Sequence, residues 1–415
     1  MTLRSGPLRL LAPPFLAGAG LLLVWYGVFA YQVGTTQVEF LFRHPSSNWF
    51  PVVNLWRGNA AYFVDLDGDR ALAHYRRAIA AEAVLVDAWL ALARAELAQG
   101  RADRAEAVLD FLSPILARTS TWKWSELLLA HDLDRETEVR QAFNFILDRV
   151  PTRRQDAVYL ALQRWGDYDR ISAQVDAPQR GIWLRELLRR HETDAAMAVW
   201  RQIQDPEAVG FDRRAQLQLC NFLIDRGRIE DAREVWRSMT GSGPGGIHNG
   251  GFESDLGGGG FGWRLQANLH GLTVKRTSTS SAEGAFSLQL RFNGKANLAY
   301  RPLSQLVPVA PGNRYRLQFA RKSRNLTSNE GVFLELAGWR CPGLNLQSPA
   351  VTGTETWRTE SLEFTVPDAC EALWVRVGRR ESLRFAGKIS GEYWLDAVAL
   401  SRLEPGTGDG GEGTP

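Results

Sequence analysis

Cysteine, methionine and histidine are scarce in this chain: three, three and six among 415 residues. The histidines are scattered with no pair at metal-ligand spacing, and no His-Glu-x-x-His motif occurs. There is no Gly-x-Ser-x-Gly elbow and no phosphate loop ending in Lys-Ser or Lys-Thr. Asp65, Asp67 and Asp69 alternate around Gly68, but a calcium loop would need Glu at its twelfth position, and a turn between helices accounts for the run. Glu360 and Glu363 fall on opposite faces of an alternating run and make no carboxylate pair. The expectation is a protein that is not an enzyme. Charge excess is missing too. The net charge of +3 is close to balance, and the dispersed basic residues exclude nucleic acid as an expected partner.

What the chain does have begins at its N-terminus. No formal charge occurs between Arg9 and Glu39, and about 20 apolar residues suffice to cross a bilayer core. Arg4 and Arg9 precede the run and favour a cytoplasmic N-terminus. Trp25, Tyr26 and Tyr31 fall near its far end, where amphipathic rings prefer the membrane interface. The segments expected are a cytoplasmic N-terminus over 1–9, a transmembrane anchor over 10–33 and a connecting segment over 34–54. A cleaved signal peptide is the competing reading, disfavoured by the long apolar core and the poor Val28-Phe29-Ala30 cleavage site.

Residues 55–240 repeat with helical period. Gly68-Asp69-Arg70-Ala71 through Ala78-Ile79 sets small, aromatic and small residues at Ala71, Tyr75 and Ala78. Ala105 and Val139 occupy equivalent places at intervals of about 34 residues. Small side chains at Ala71, Ala93 and Ala105 let helices approach, and Trp89, Tyr75 and Phe143 are expected to fill the gaps between pairs. The signature fades over 155–190, apart from Trp165-Gly166-Asp167-Tyr168, and returns before Trp200 and Trp236. This stretch resembles the tetratricopeptide family, which implies a solenoid of paired helices with a groove for a protein partner. Arg76, Arg77, Arg94, Glu96 and Arg101 are expected on a solvated face. Trp122-Lys123-Trp124 reads as packing or as a partner site, and Cys220 as a small buried hydrophobe.

Composition changes after Thr240. Residues 241–246 read as a flexible Gly-rich linker. Residues 247–404 then show short alternating runs broken by turns, the pattern of an antiparallel β-sandwich. Phe286-Leu288-Leu290-Phe292, Tyr315-Leu317-Phe319 and Leu373-Val375-Val377 are three of them. Residues 405–415 lack hydrophobic side chains and are expected to be disordered. Cys341 and Cys370 both fall in the β segment, where an oxidising exterior permits a disulfide if their Cα atoms come within range.

Asn249-Gly250-Gly251-Phe252-Glu253, Trp263, Gly284–Leu288, Val307–Tyr315 and the closing Trp394–Leu400 run together resemble the jelly-roll, galactose-binding-like carbohydrate-binding modules. That resemblance implies a structural calcium between the first and last strands, with Glu253 and Asp396 in the ligand positions. Period-two alternation places Asp396 inward with Val398 and Leu400. The second acid usual beside that Asp is Ala397 here, and the alternative is that Asp396 caps loop amides. Sugar binding requires exposed aromatic and polar side chains on an outer face. Trp374, Arg376, Trp339, Arg291 and Arg316 are the candidates, and Lys and Arg outnumber Asp and Glu in this segment, which favours an acidic polysaccharide.

The fold class expected is multidomain: a transmembrane helix, an α-helical tetratricopeptide-like solenoid and a C-terminal antiparallel jelly roll. The combination resembles accessory proteins of bacterial exopolysaccharide assembly. It implies a single-pass inner-membrane protein with periplasmic domains that holds polysaccharide and protein partners. Pure protein scaffolding, or service as an accessory subunit of a glycan-modifying enzyme, are the alternatives.

Overall fold

The computed structural model describes residues 23–404 except 29, 36–37, 242–244, 267–269, 298 and 385–386. Most of the expected anchor and the whole expected tail lie outside the described residues. Among those described, no helix is long and apolar enough to cross a membrane. Residues 23–28 and 30–34 are helical. Trp25, Ala30 and Val33 pack on a small core of Leu41, Phe50 and Val53.

The chain divides into two compact units, Met1–Arg185 and Glu186–Pro415. In the first, helical hairpins follow one another: Pro51–Phe63 with Gly68–Ala81, Val86–Ala98 with Ala102–Leu116, and Lys123–Asp132 with Glu136–Arg149. Arg154–Trp165 and the short Tyr168–Gln174 follow. Ala71, Ala93 and Ala105 are completely buried, as close helix approach requires, and Tyr75 and Phe143 are buried beside them. Asp67 caps the helix Gly68–Ala81 by accepting the Arg70 N–H at 3.0 Å, which explains its place in the Asp65–Asp69 run.

Where the repeat signature fades, aromatics do the packing. Phe143 meets Trp165 and Trp183 edge-on at 5.4 and 6.2 Å, and the Trp183 indole N–H donates to Ser172 Oγ at 2.8 Å. Two expectations need correction here. Trp89 is half-buried on the rim against exposed Phe111, because its indole N–H donates outward to the Ala83 carbonyl. Glu96 is buried rather than solvated, gathering Arg76, Arg101 and Arg104 around one carboxylate. Burial pushes that carboxyl up, but hydrogen bonds from Arg101 and Arg76 outweigh it and hold the group below its usual range. Trp122-Lys123-Trp124 is packing: Lys123 is buried and pairs with Glu126 at 2.7 Å, and the Trp122 indole donates to Asp87 at 3.0 Å.

The second unit contains the hairpin Arg213–Asp225 and Ile229–Thr240, then, among the described residues, ten strands in two antiparallel sheets. The first sheet runs β1 (Arg264–Leu265), β4 (Tyr300–Pro308), β9 (Ala372–Arg379), β6 (Val332–Gly338), β7 (Asn345–Gln347). The second runs β2 (Leu272–Thr277), β3 (Ser287–Asn293), β10 (Ser390–Arg402), β5 (Arg314–Leu326), β8 (Gly353–Thr365). Leu288, Leu290, Leu317, Phe319, Leu373, Val375 and Val377 alternate into the core between them. Cys341 and Cys370 are joined by a disulfide with Cα atoms 5.3 Å apart.

The sandwich is seated on the last hairpin. A glycine-rich loop over 257–262 wraps Trp236, whose ring meets Phe261 and His248 edge-on at 6.0 and 5.2 Å. Gly260 adopts φ +57°, and a Cβ there would lie 2.5 Å from Trp236. Its N–H donates to Asn221 Oδ1 at 2.8 Å. Glycine is required at this point for both conformation and space.

Candidate functional site

The outer surface of the first sheet collects the strongest group of binding-competent side chains. On β9, Leu373, Val375 and Val377 enter the core, so Trp374 and Arg376 face outward. Cross-strand pairing sets Arg264, Ser304, Arg376, Glu335 and Gln347 in one row, and Trp374 beside Ala337 in the next. Trp374 is half-buried, with the guanidiniums of Arg264 and Arg376 at 5.2 and 5.1 Å from its ring centroid. Arg301 makes two hydrogen bonds to the buried Glu335, one of them 2.9 Å, and these hold that carboxyl below the usual range. Gln347 donates to the same carboxylate at 3.4 Å, and Arg380, bonded to Gln347, lies over Phe333. The surface is cationic and rich in hydrogen-bonding groups, arranged on rigid strands.

The five residues expected to bind glycan are not brought together. Trp374 and Arg376 share this face. Trp339 lies at its end, where its N–H donates to the Ala372 carbonyl at 3.0 Å and Arg340 stacks on its ring. Arg291 and Arg316 lie on the second sheet, where Arg316 bonds Glu363 at 2.6 and 2.9 Å. The Glu363 carboxyl is accordingly held low by Arg316. Alternation along each strand shows which residues point outward, but not which of two sheets they belong to. Arg264, Arg301, Glu335 and Gln347 were missed for the same reason: only cross-strand register assembles them.

Glu253 and Asp396 lie at the junction of the opening motif and the last strand. Asp396 is fully buried, but on the opposite side of β10 from Val398 and Leu400. A bulge after Asp396, with Ala397 at φ +48°, breaks the alternation that had placed them together. Its Oδ2 accepts the N–H groups of Ala282 and Glu283 at 2.7 and 3.1 Å, and Oδ1 that of Ala397 at 2.7 Å. Glu253 Oε1 accepts those of Ala285 and Phe286 at 2.9 and 3.0 Å. Calcium takes six to eight oxygens, whereas three of the four carboxylate oxygens here already face N–H donors. Among the described residues no group of three or more His, Cys, Asp or Glu could hold a metal. The residues do not fit a calcium site; they cap a loop. Gly250 supports the same junction, since a Cβ there would lie 1.8 Å from the Val398 carbonyl oxygen.

Crevices are also found among the described residues of the second unit. One, of about 430 Å³, lies among Trp200, Gln204, Arg213, Gln216 and Met239. Another, of about 580 Å³, is lined by Arg233, Pro308, Pro311, Tyr315 and Arg402.

Residues 67–122 match the tetratricopeptide repeat. No curated protein matches. Among solved structures, a family 16 carbohydrate-binding module is 18% identical, covering 37% of this chain and 98% of its own length, with a TM-score of 0.28. The CBM22-1 xylan-binding domain from Paenibacillus barcinonensis Xyn10C is 15% identical over 37% of this chain and 92% of its own, with a TM-score of 0.27. TmCBM61 in complex with β-1,4-galactotriose is 18% identical over 38% and 97%, also at 0.27. The architecture is thus a helical region with tetratricopeptide-like repeats, followed by an antiparallel two-sheet sandwich.

Proposed function

We propose that this protein works by binding rather than catalysis, as a membrane-anchored periplasmic scaffold whose sandwich holds polysaccharide while its repeats hold a protein partner. The observation that carries the glycan role is the outward-facing Trp374 on rigid β9, among Arg376, Arg301, Glu335 and Gln347. Such a surface offers apolar contact and directional hydrogen bonds together, as sugar recognition requires. The tetratricopeptide match supports a protein partner, since paired-helix arrays present extended concave surfaces. The uncharged run over 10–33, preceded by Arg4 and Arg9, supports the anchor and its orientation. Anchoring would raise the effective concentration of two weak sites, so neither needs high affinity. In this reading the protein serves envelope or exopolysaccharide assembly.

Protein scaffolding without glycan has one observation in its favour. Trp339 and Arg340, at the end of the candidate face, are engaged with the protein's own last hairpin through the Asp225 carbonyl. The test is binding of the detergent-solubilised full chain to a panel of neutral and acidic polysaccharides. Saturable binding lost in Trp374→Ala supports the glycan role. No binding by the folded protein sinks it in favour of scaffolding.

A further inference from the structure

The half-buried Trp374 ring is shared with two cations. Two guanidiniums stand at nearly equal distance from its centroid, 5.2 Å for Arg264 and 5.1 Å for Arg376. A ring quadrupole attracts and orients cations placed over it, so the indole holds both side chains in position. Among the described residues, neither cation has a hydrogen-bonded carboxylate. Arg264 donates to the Gly260 carbonyl at 3.0 Å and to Asn221 Oδ1 at 3.4 Å. Arg376 approaches Glu335 only at 4.0 Å, and that carboxylate is committed to Arg301. Burial is the main influence on both guanidiniums and works against their charge. On this face Arg264, Arg301, Arg376 and Arg380 outnumber two acids, Glu335 and Asp225, the latter acting on Arg264 from the last hairpin. Half-buried cations in excess over their acids, with no carboxylate hydrogen-bonded to Arg264 or Arg376, can receive a further anion, and planar guanidiniums match carboxylates in two-point contacts.

We propose that this face selects an acidic polysaccharide, with Trp374 acting as the organiser of a two-arginine carboxylate receptor at Arg264 and Arg376. A uronate group enters between the guanidiniums, and the chain follows β9 toward Arg380, where a second acidic residue is received. Charge complementarity along one strand, with Ser304, Gln347 and Asn345 beside it to meet hydroxyls, favours an extended polyuronate over a compact anion. The proposal rests on the glycan reading above and adds its chemical class.

The experiment measures affinity of the full chain for polygalacturonate and alginate, with galactan and glucomannan as neutral counterparts and polyglutamate as a polyanion lacking sugar. Low and high sodium chloride are compared. The expected result is binding to the polyuronates alone, weakened by salt. Arg376→Gln should weaken it about tenfold, while Arg291→Gln on the second sheet leaves it unchanged. Equal binding to the neutral glycans would overturn the acidic preference and leave the glycan role standing. Failure to bind any polysaccharide removes both. Equal capture of polyglutamate, or equal weakening by Arg291→Gln, would show ion exchange and overturn the receptor.

Discussion

Arg340 of the sandwich caps a helix of the repeat region: its guanidinium donates to the carbonyl of Asp225, the last residue of the helix Arg213–Asp225, at 2.6 Å. A cation at a helix C-terminus satisfies an orphan carbonyl and opposes the negative end of the dipole. The loop carrying Arg340 is closed by the Cys341–Cys370 disulfide. One staple thus fixes a loop of the sandwich and a cap of the helical hairpin together.

That staple should matter to stability. Its cysteines are separated by 29 residues, a closure worth roughly 3–4 kcal/mol by loop entropy. Replacing both cysteines with serine should lower the urea midpoint accordingly, and dithiothreitol should do the same to the wild type. An unchanged midpoint under both treatments would show that the loop is held by its other contacts.

Gly260 is the tightest point of the seam. Gly260→Ala combines a left-handed backbone with a contact of 2.5 Å to Trp236, and should cost about 2–4 kcal/mol. Thermal unfolding would register the loss, with Trp236 fluorescence reporting loosened packing. Wild-type stability in the variant would mean that the loop relocates freely.

Asp396→Ala removes the acceptor of three N–H groups, those of Ala282, Glu283 and Ala397. With a buried unsatisfied donor costing about 1–3 kcal/mol, the expected loss is about 3 kcal/mol or more. Calcium and EGTA should leave the melting temperature of the wild-type protein in place. A calcium-dependent rise of several degrees would contradict the assignment of this junction as a cap.

His248 predicts a pH dependence. Its pKa lies below the usual 6.5 because of burial first and Arg213 second. Between the folded and unfolded values the unfolded chain binds more protons, so stability should fall as pH drops below about 6.5 and level off below the folded value. His248→Gln should flatten this part of the profile. Identical slopes in both proteins would show that other groups set it.

The division between helical repeats and sandwich was legible because local chemistry dictates it. Ala71, Tyr75, Ala93 and Ala105 must recur at one spacing for helices to nest, and Leu373, Val375 and Val377 must alternate to enter a core. The motif Asn249–Glu253 was also readable, although its purpose is capping: Asn249 closes a turn on Ser254, Phe252 enters the core and Glu253 holds a loop. The glycine-rich residues 257–262 form the seat on Trp236, which no reading of the sequence foresaw. Close approach between distant segments leaves no periodic trace in a chain. The phase of Asp396 was hidden by a bulge at Ala397, which alternation does not anticipate. The candidate face depends most on tertiary structure. Trp374 and Arg376 share one strand and could be paired from sequence, but Arg264, Arg301 and Glu335 come from three others. The sequence by itself determined which residues turn outward, through the two-residue period of a strand. Only strand order and register decided which of them meet, because hydrogen bonding between distant segments sets those neighbours.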